Sequence, residues 1–234
     1  MDMLGTYPFE FIDSQFKTLE ASGTEWEKAA KKAVARGYAR LSAINSIDRL
    51  SEAEVYQMLC EDGYGSQDRS VIIAVVDCGG LSKKDELAGT IRLVFGRDET
   101  SSKELPALDA MNFIHLPSQW PHQLDGYSHN QAAELGRYTI VQKNGYLSYE
   151  NKTRITNMLI KKAMDIAKSR GVEYVYGIMP SLVNRIMTAS GVNTEYLDGS
   201  RLREDNLYAL DIFKRFPLYW NNSPKLYRFI SVKS

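Results

Sequence analysis

The sequence predicts an α/β domain in which helices cover both faces of a mixed, twisted central sheet. Two β-branched apolar runs, Ser70 to Cys78 and Leu87 to Phe95, are separated by a short polar loop, which is typical of an antiparallel hairpin. A strand, a long helix and another strand follow between residues 133 and 179. A crossover of this length joins parallel strands, so the sheet combines both kinds of pairing. A sheet of this kind buries its faces under helices.

Composition fits one domain over residues 1–234 and argues against several functional classes. Of the 234 residues 44% are hydrophobic, which is enough for an ordinary core. Lys plus Arg and Asp plus Glu are 29 each, so no global basic field would attract nucleic acid. The sequence shows neither a secretory pattern nor an apolar run of about 20 residues, and we expect a cytoplasmic protein. Cys60 and Cys78 have no CxxC spacing and are expected to be buried, unpaired apolar residues.

The first 65 residues are predicted to be mainly helical, after a short strand at Phe9 to Ile12. Glu25 to Leu41 is rich in strong helix formers, and Ser51 to Cys60 repeats that pattern. Each helix begins with the spacing of a capping box, a hydroxyl residue followed three positions later by a glutamate. The two pairs are Thr24 with Glu27, and Ser51 with Glu54.

Residues 97 to 132 are predicted to form a long irregular segment with a functional role. The segment contains three prolines and several aromatic residues, and its aromatic content argues against disorder. Its three histidines, His115, His122 and His129, recur every seven residues, which matches no zinc-binding spacing. We therefore expect no metal site.

Alternating strands and helices are predicted for the rest of the chain. Residues 147 to 170 carry apolar side chains at helical spacing, and Gly171 suits the end of that helix. A second helix is predicted from Ser181 to Ser190, and Gly191 ends it. The predicted strands are Ala133 to Gln142, Val172 to Met179, Leu207 to Phe213 and Leu226 to Val232.

Three segments between residues 70 and 195 carry a resemblance to a known family. The first is the strand Ala88-Gly89-Thr90-Ile91-Arg92-Leu93-Val94, and the second is the strand Glu134-Leu135-Gly136-Arg137-Tyr138-Thr139-Ile140-Val141. The third is the helix–strand–helix run that ends at Gly191. Together they resemble the acyl-homoserine-lactone synthases and the N-acyl amino acid synthases of the GNAT superfamily. The resemblance implies a GNAT-like three-layer fold with residues 70–195 as its core. Residues 1–65, predicted to be mainly helical, and the C-terminal strands predicted in residues 196–234 lie outside the resemblance.

Departures from the family patterns favour the branch of the N-acyl amino acid synthases, or an uncharacterised relative, over the homoserine-lactone synthases. The acidic F-D-x-x-D stretch of the homoserine-lactone synthases is missing upstream, and Gly136 stands where the family prefers Ser.

Acetyl-CoA enzymes carry a glycine-rich loop after the central strand that holds the pyrophosphate. Here that stretch is QKNGYLSYENKTR, with one glycine. This fits a donor whose phosphopantetheine arm is attached to an acyl carrier protein.

The resemblance assigns catalytic roles to Glu134, Arg137 and Arg92. Glu134 would orient or deprotonate an acceptor amine, Arg137 would position Glu134 or the donor, and Arg92 would complete the charge network. A regular strand directs residues three apart to opposite faces, so this interpretation needs a β-bulge, which Gly136 favours. The alternatives are ordinary ion pairs at a strand edge and, for Arg92, a position on the solvent face of the hairpin.

Candidate substrate-binding residues follow the central strand and the long loop. Backbone N–H groups from Tyr138 through Thr139 and Ile140 to Val141 are candidates for an oxyanion hole. Phe113, Trp120 and Met179 are candidates for the wall of an acyl tunnel, although ordinary core packing would also explain them. Basic residues on the long helix suit docking of an acidic carrier protein, or form a solvated face.

The sequence therefore predicts an N-acyltransferase that moves a long acyl chain from acyl carrier protein, or acyl-CoA, to a small amine such as an amino acid. No cofactor is expected to be bound permanently, because the acyl-phosphopantetheine thioester is itself the donor. Two alternatives remain open: an acetyl-CoA-dependent N-acetyltransferase, and a non-catalytic GNAT-like module that binds lipid or protein.

Overall fold

The computed structural model describes ten segments of the chain: residues 15–42, 49–61, 70–79, 85–95, 114–115, 132–141, 147–197, 201–202, 214–222 and 224–232. The strands in these segments are β1 Phe16–Glu20, β2 Ser70–Asp77, β3 Glu86–Phe95, β4 Ile114–His115, β5 Ala132–Ile140, β6 Tyr174–Met179, β7 Val192–Tyr196, β8 Arg201–Leu202 and β9 Lys225–Val232. The helices are α1 Glu25–Leu41, α2 Glu52–Glu61, α3 Tyr149–Ser169, α4 Ser181–Ala189 and α5 Pro217–Trp220.

Seven of the described strands form one mixed sheet in the order β1-β2-β3-β5-β6-β9-β7. The pairs from β1 to β5 are antiparallel, β5 and β6 are parallel, and β9 is antiparallel to both β6 and β7. The final strand is thus inserted between two strands that precede it in sequence. The short β4 and β8 pair separately. The predicted hairpin and the predicted parallel crossover are both confirmed.

Helices pack on both faces of the sheet, as consecutive residues of β5 show. The Tyr138 hydroxyl lies 2.7 Å from Thr156 Oγ1 on α3. On the opposite face, a Cβ atom added at Gly37 of α1 would lie 3.8 Å from Thr139 Oγ1. The α3 face holds the main core of the described residues, whereas α1, α2 and α5 share a smaller cluster. Three layers result, with the sheet in the middle.

Capping places both N-terminal helices at their predicted positions. Ser51 N donates to Glu54 Oε2 at 2.7 Å and Glu54 N donates to Ser51 Oγ at 3.2 Å, which completes the predicted box. At α1, Thr24 Oγ1 accepts from Trp26 N at 3.2 Å. The Glu27 carboxylate accepts from Gly23 N, one residue before the cap.

Several sequence predictions need correction or lie outside the described residues. Cys60 is exposed on α2 rather than buried, and Cys78 is half-buried; both are free. Strands β1, β4, β7 and β8 and the short helix α5 were not predicted, because their sequences are short and lack a clear apolar period. Strand β4 lies within residues 97–132, which were predicted to be irregular. The predicted strands at residues 9–12 and 207–213 lie outside the described residues.

Gly89 of the first family-like segment has a packing role that the structure makes explicit. A Cβ atom at this position would lie 2.6 Å from Ile155 Cγ2 and 3.2 Å from Leu159 Cδ1. Both α3 residues are fully buried in the main core. The absence of a side chain at Gly89 therefore sets how closely α3 approaches β3.

Replacing Gly89 by Ala is expected to lower the free energy of unfolding by about 1–3 kcal/mol, the usual result of overpacking a core. Gly37→Ala is the matched control, since its Cβ atom has ordinary contact distances in the middle of α1. That change should raise stability by about 0.5–1 kcal/mol, because Gly is entropically unfavourable in a helix. Urea unfolding of both variants measures the difference. Equal stability of the two variants would contradict this account of Gly89.

Candidate active site

The parallel strands β5 and β6 separate part of the way along their length and leave a gap in the sheet. Their pairing covers Ala132↔Tyr174 to Glu134↔Tyr176, although β5 continues to Ile140 and β6 to Met179. Gly177 stands at the point of divergence. A Cβ atom on this residue would lie 2.9 Å from the Leu135 carbonyl oxygen and 3.0 Å from the Phe229 ring. Glycine is therefore required where the two backbones still lie close together.

A β-bulge in β5 lies beside this gap. The register between β3 and β5 shifts between Thr90 and Arg92, so that β5 carries one extra residue there. Arg137 occupies the bulge with φ of 57°, the only non-glycine residue with positive φ in the described segments. Gly136, which favoured a bulge in the sequence, does not itself have positive φ. The bulge interrupts the strand alternation between Glu134 and Arg137.

The bulge brings Glu134 and Arg137 to the same face of the sheet, the face covered by α1. The Arg137 guanidinium lies over the Tyr38 ring of α1, 5.1 Å from its centroid. Glu134 Oε2 is buried. The charges of both residues act on Tyr219, whose pKa burial raises well above its ordinary value. The predicted pair of charged residues is therefore assembled around one end of the gap.

Arg92 lies on the same face, opposite Gly136 in the β3–β5 register. It lines a cavity of about 40 Å³ between α1 and the sheet, together with Arg137. Lys31 and Glu27 of α1 line it too, joined by a 2.8 Å ion pair. The Arg92 side chain is therefore half-buried, neither fully exposed to solvent nor part of the core. Thr90, Ser70, Ser22 and several apolar residues complete the walls.

The gap itself is a cleft of about 80 Å³ with a largely apolar lining. Met179, predicted as a tunnel residue, lines it and is 5% exposed. Tyr138 also lines the cleft. The cleft and the cavity beneath α1 share Ile91 and Arg137, so they adjoin at the bulge. Further lining comes from Leu135, Ile178, Val183, Met187 and Phe229.

Two tyrosines that the sequence did not single out span the gap on the α1 face. Tyr38 stacks on Tyr219 of α5 with a centroid distance of 6.5 Å and an interplanar angle of 28°. Tyr219 donates a hydrogen bond to the Ile178 carbonyl of β6 at 2.8 Å. With Arg137 over Tyr38, these contacts connect β5 to β6 across the opening. Only their three-dimensional placement identifies them, because neither lies in a recognisable motif.

The predicted run of oxyanion donors divides between the two edges of β5. Val141 N donates to the Ala88 carbonyl at 2.9 Å, so this N–H is engaged with β3. Alternate strand residues direct their backbone groups to opposite neighbours, so Tyr138 and Ile140 direct theirs into the gap. The Ile140 side chain packs against the α3 core, and that of Thr139 faces α1. Phe113 and Trp120 lie outside the described residues.

Comparison with solved structures shows which proteins have a similar fold. The AHL synthase LasI matches with a TM-score of 0.51 and 13% identity, over 92% of this chain and 88% of its own. The C-terminal condensation domain of Ebony, solved in complex with beta-alanyl-dopamine, matches with a TM-score of 0.54 and 10% identity, over 93% and 99%. FeeM, an N-acyl amino acid synthase from uncultured soil microbes, matches with a TM-score of 0.49 and 12% identity, over 93% of this chain and 91% of its own. No family model and no curated protein matches the sequence.

The sheet order and the likeness to LasI and to the Ebony domain confirm the fold predicted from the sequence, a GNAT-like mixed sheet between layers of helices. The resemblance to the AHL synthases, inferred from three segments of the sequence, is confirmed as a shared fold. In the described part of the chain, no helix has the length and apolar character needed to span a membrane.

Proposed function

We propose that the chain is an N-acyltransferase that uses the gap between β5 and β6 as its donor site. The supporting observation is the coincidence, at one point of the sheet, of the strand divergence, the bulge at Arg137 and the buried carboxylate oxygen of Glu134. A narrow apolar cleft edged by backbone N–H groups suits an extended thioester arm. The same fold in the AHL synthase LasI and in the Ebony condensation domain supports this assignment by analogy.

In the proposed reaction an amine nitrogen attacks the thioester carbonyl carbon directly. Glu134 accepts the proton that the amine loses as the C–N bond forms. The N–H groups of Tyr138 and Ile140 face the gap and stabilise the oxyanion. The C–S bond then breaks, the thiolate leaves and takes up a proton, and the product is an amide. No enzyme nucleophile is required, and neither Cys60 nor Cys78 lines the described cleft.

The donor we favour is a long acyl chain on an acyl carrier protein. Helix α3 with its C-cap Arg170 carries six cations against two carboxylates, Glu150 and Asp165. A basic helix accelerates the encounter with an acidic carrier. The apolar lining of the cleft suits the alkyl carbons next to the thioester. The cations are Lys152, Arg154, Lys161, Lys162, Lys168 and Arg170.

The acceptor we favour is an amino acid whose carboxylate enters the cavity beneath α1. Lys31, Arg92 and Arg137 line this cavity against one carboxylate, Glu27, so the excess charge is positive. Counting nearby Glu134 as well, three cations still face two carboxylates. A carboxylate of the acceptor would be attracted there, and its amine would lie toward Glu134 at the adjoining cleft.

The test uses purified protein with octanoyl, decanoyl and palmitoyl thioesters of acyl carrier protein and of CoA, plus acetyl-CoA. Each donor is mixed with the common amino acids and, separately, with their decarboxylated amines. Mass spectrometry of the products and colorimetric assay of the released thiol report turnover. We expect N-acyl amino acids from carrier-linked donors. Turnover of acetyl-CoA alone would instead identify an N-acetyltransferase, and no turnover by the folded protein would favour a binding module.

A further inference from the structure

The Tyr219 hydroxyl donates a hydrogen bond to a backbone carbonyl that β6 directs into the gap. Leu197 N donates to the Leu226 carbonyl at 3.1 Å, so Leu226 of β9 turns its backbone groups toward the β7 side. Ile178 pairs with Leu226 in the β6–β9 register. When the backbone N–H and C=O groups of one residue point away from the partner strand of an antiparallel pair, those of the residue directly opposite also point away. Ile178 therefore directs its carbonyl away from β9 and toward β5.

The β5 edge of the gap carries the complementary groups. Because Val141 N is bonded to Ala88 on the β3 side, the N–H groups of Ile140 and Tyr138 point toward β6. If β5 and β6 came together, the N–H donors of β5 and the carbonyl of β6 would form the hydrogen bonds of a parallel β-ladder. The Tyr219 hydroxyl, 2.8 Å from the Ile178 carbonyl oxygen, takes the place of that ladder bond.

We propose that Tyr219 is a positioning residue that keeps β5 and β6 apart and leaves the β5 edge to the donor arm. Its ring is stacked on Tyr38, which fixes it on the α1 side of the cleft. Burial keeps its hydroxyl protonated by raising its pKa, so it remains a donor over the working pH range. The inference rests on the proposed use of the gap for a thioester arm.

The decisive variant is Tyr219→Phe, which retains the ring and removes only the hydroxyl. Without that donor, the Ile178 carbonyl gains a partner by approaching the β5 amides. We expect amide hydrogen exchange, followed by NMR, to become about threefold slower or more at Tyr138 and Ile140. A purely structural role predicts the opposite sign, since loss of a stabilising bond accelerates exchange.

Binding of octanoyl-pantetheine, the thioester arm without carrier or nucleotide, provides the second measurement. Isothermal titration should give about three- to tenfold weaker affinity for Tyr219→Phe, because only the open fraction of molecules binds. Ser42→Ala is the stability control. It removes a buried hydroxyl that bonds the Ala39 carbonyl at 2.7 Å, away from the cleft, and should leave both measurements unchanged.

The outcomes separate this inference from the proposed function. Unchanged or faster exchange together with unchanged affinity in Tyr219→Phe would overturn the role of Tyr219. Slower exchange in the variant, with no binding of the probe to the native protein, would support the spacing role and count against the thioester donor. Should Tyr219→Phe not fold, replacement of Tyr219 by 4-aminophenylalanine retains a hydrogen-bond donor at the para position of the ring. That variant is expected to keep native exchange and affinity, and the loss of both would contradict the proposal.

Discussion

The Glu134→Gln variant is expected to form amide about 10²–10⁴-fold more slowly than the native protein, the contribution of a positioned general base. The substitution keeps the size and hydrogen-bonding ability of the side chain but removes its capacity to accept the amine proton. The carboxylate lies on the α1 face with its Oε2 atom buried, beside the adjoining cleft and cavity. Solvent water is a poorer base there than a fixed carboxylate.

The effect should appear in kcat rather than in the KM for the donor. Glu134 lies at the end of the gap and contributes no backbone group to its open edge, so the donor arm binds as before. Glu134→Asp, which withdraws the carboxylate by one methylene, should retain intermediate activity. Glu195→Gln makes the same chemical change on β7, where the side chain is 54% exposed, and should leave turnover unaffected.

Initial rates of thiol release at saturating donor and acceptor measure this prediction. If Glu134→Gln retains activity within tenfold of the native protein, the proton is taken by another group and Glu134 has a structural role. If the variant loses stability and activity together, its carboxylate supports the bulge instead. Circular dichroism and thermal unfolding of each variant distinguish these cases.

Local sequence patterns predicted most elements of the fold, because each long element has a strong period of its own. Helices α1 and α3 and strands β2 and β3 all lie where apolar periodicity and capping residues placed them. Strand β7, VNTEY, alternates with too few apolar residues to be recognised. The insertion of β9 between β6 and β7 is a long-range pairing, which no local pattern encodes.

The sequence predicted the charged residues of the candidate site but not their backbone conformations or their tertiary contacts. The sequence named Glu134, Arg137 and Arg92 and required a bulge to bring the first two together. It favoured Gly136 as the residue that would permit the bulge, whereas the structure gives the left-handed conformation to Arg137. Tyr38 and Tyr219 come from opposite ends of the chain and meet only through tertiary packing.

The left-handed backbone at Arg137 leads to a prediction in which stability and activity move apart. A non-glycine residue in this conformation is disfavoured by about 1–2 kcal/mol. Arg137→Gly relieves that strain, while the flexibility of Gly in the unfolded chain offsets about 0.5–1 kcal/mol of the gain. The variant should therefore be as stable as the native protein or slightly more stable. Strain of this kind persists where surrounding structure holds it for a functional purpose.

Activity should fall by about two orders of magnitude or more in Arg137→Gly, as when a preorganised charged donor is removed from an active site. Arg137→Lys keeps the charge and the backbone strain but loses the planar group that lies over Tyr38, so its activity should be intermediate. Thermal unfolding and kcat/KM for the same preparations measure both quantities. Arg36→Lys, on an exposed ion pair with Glu52, is the control and should change neither. Parallel losses of stability and activity in Arg137→Gly would show that the arginine serves the fold, whereas lost activity with preserved stability would show that the bulge is maintained for the reaction.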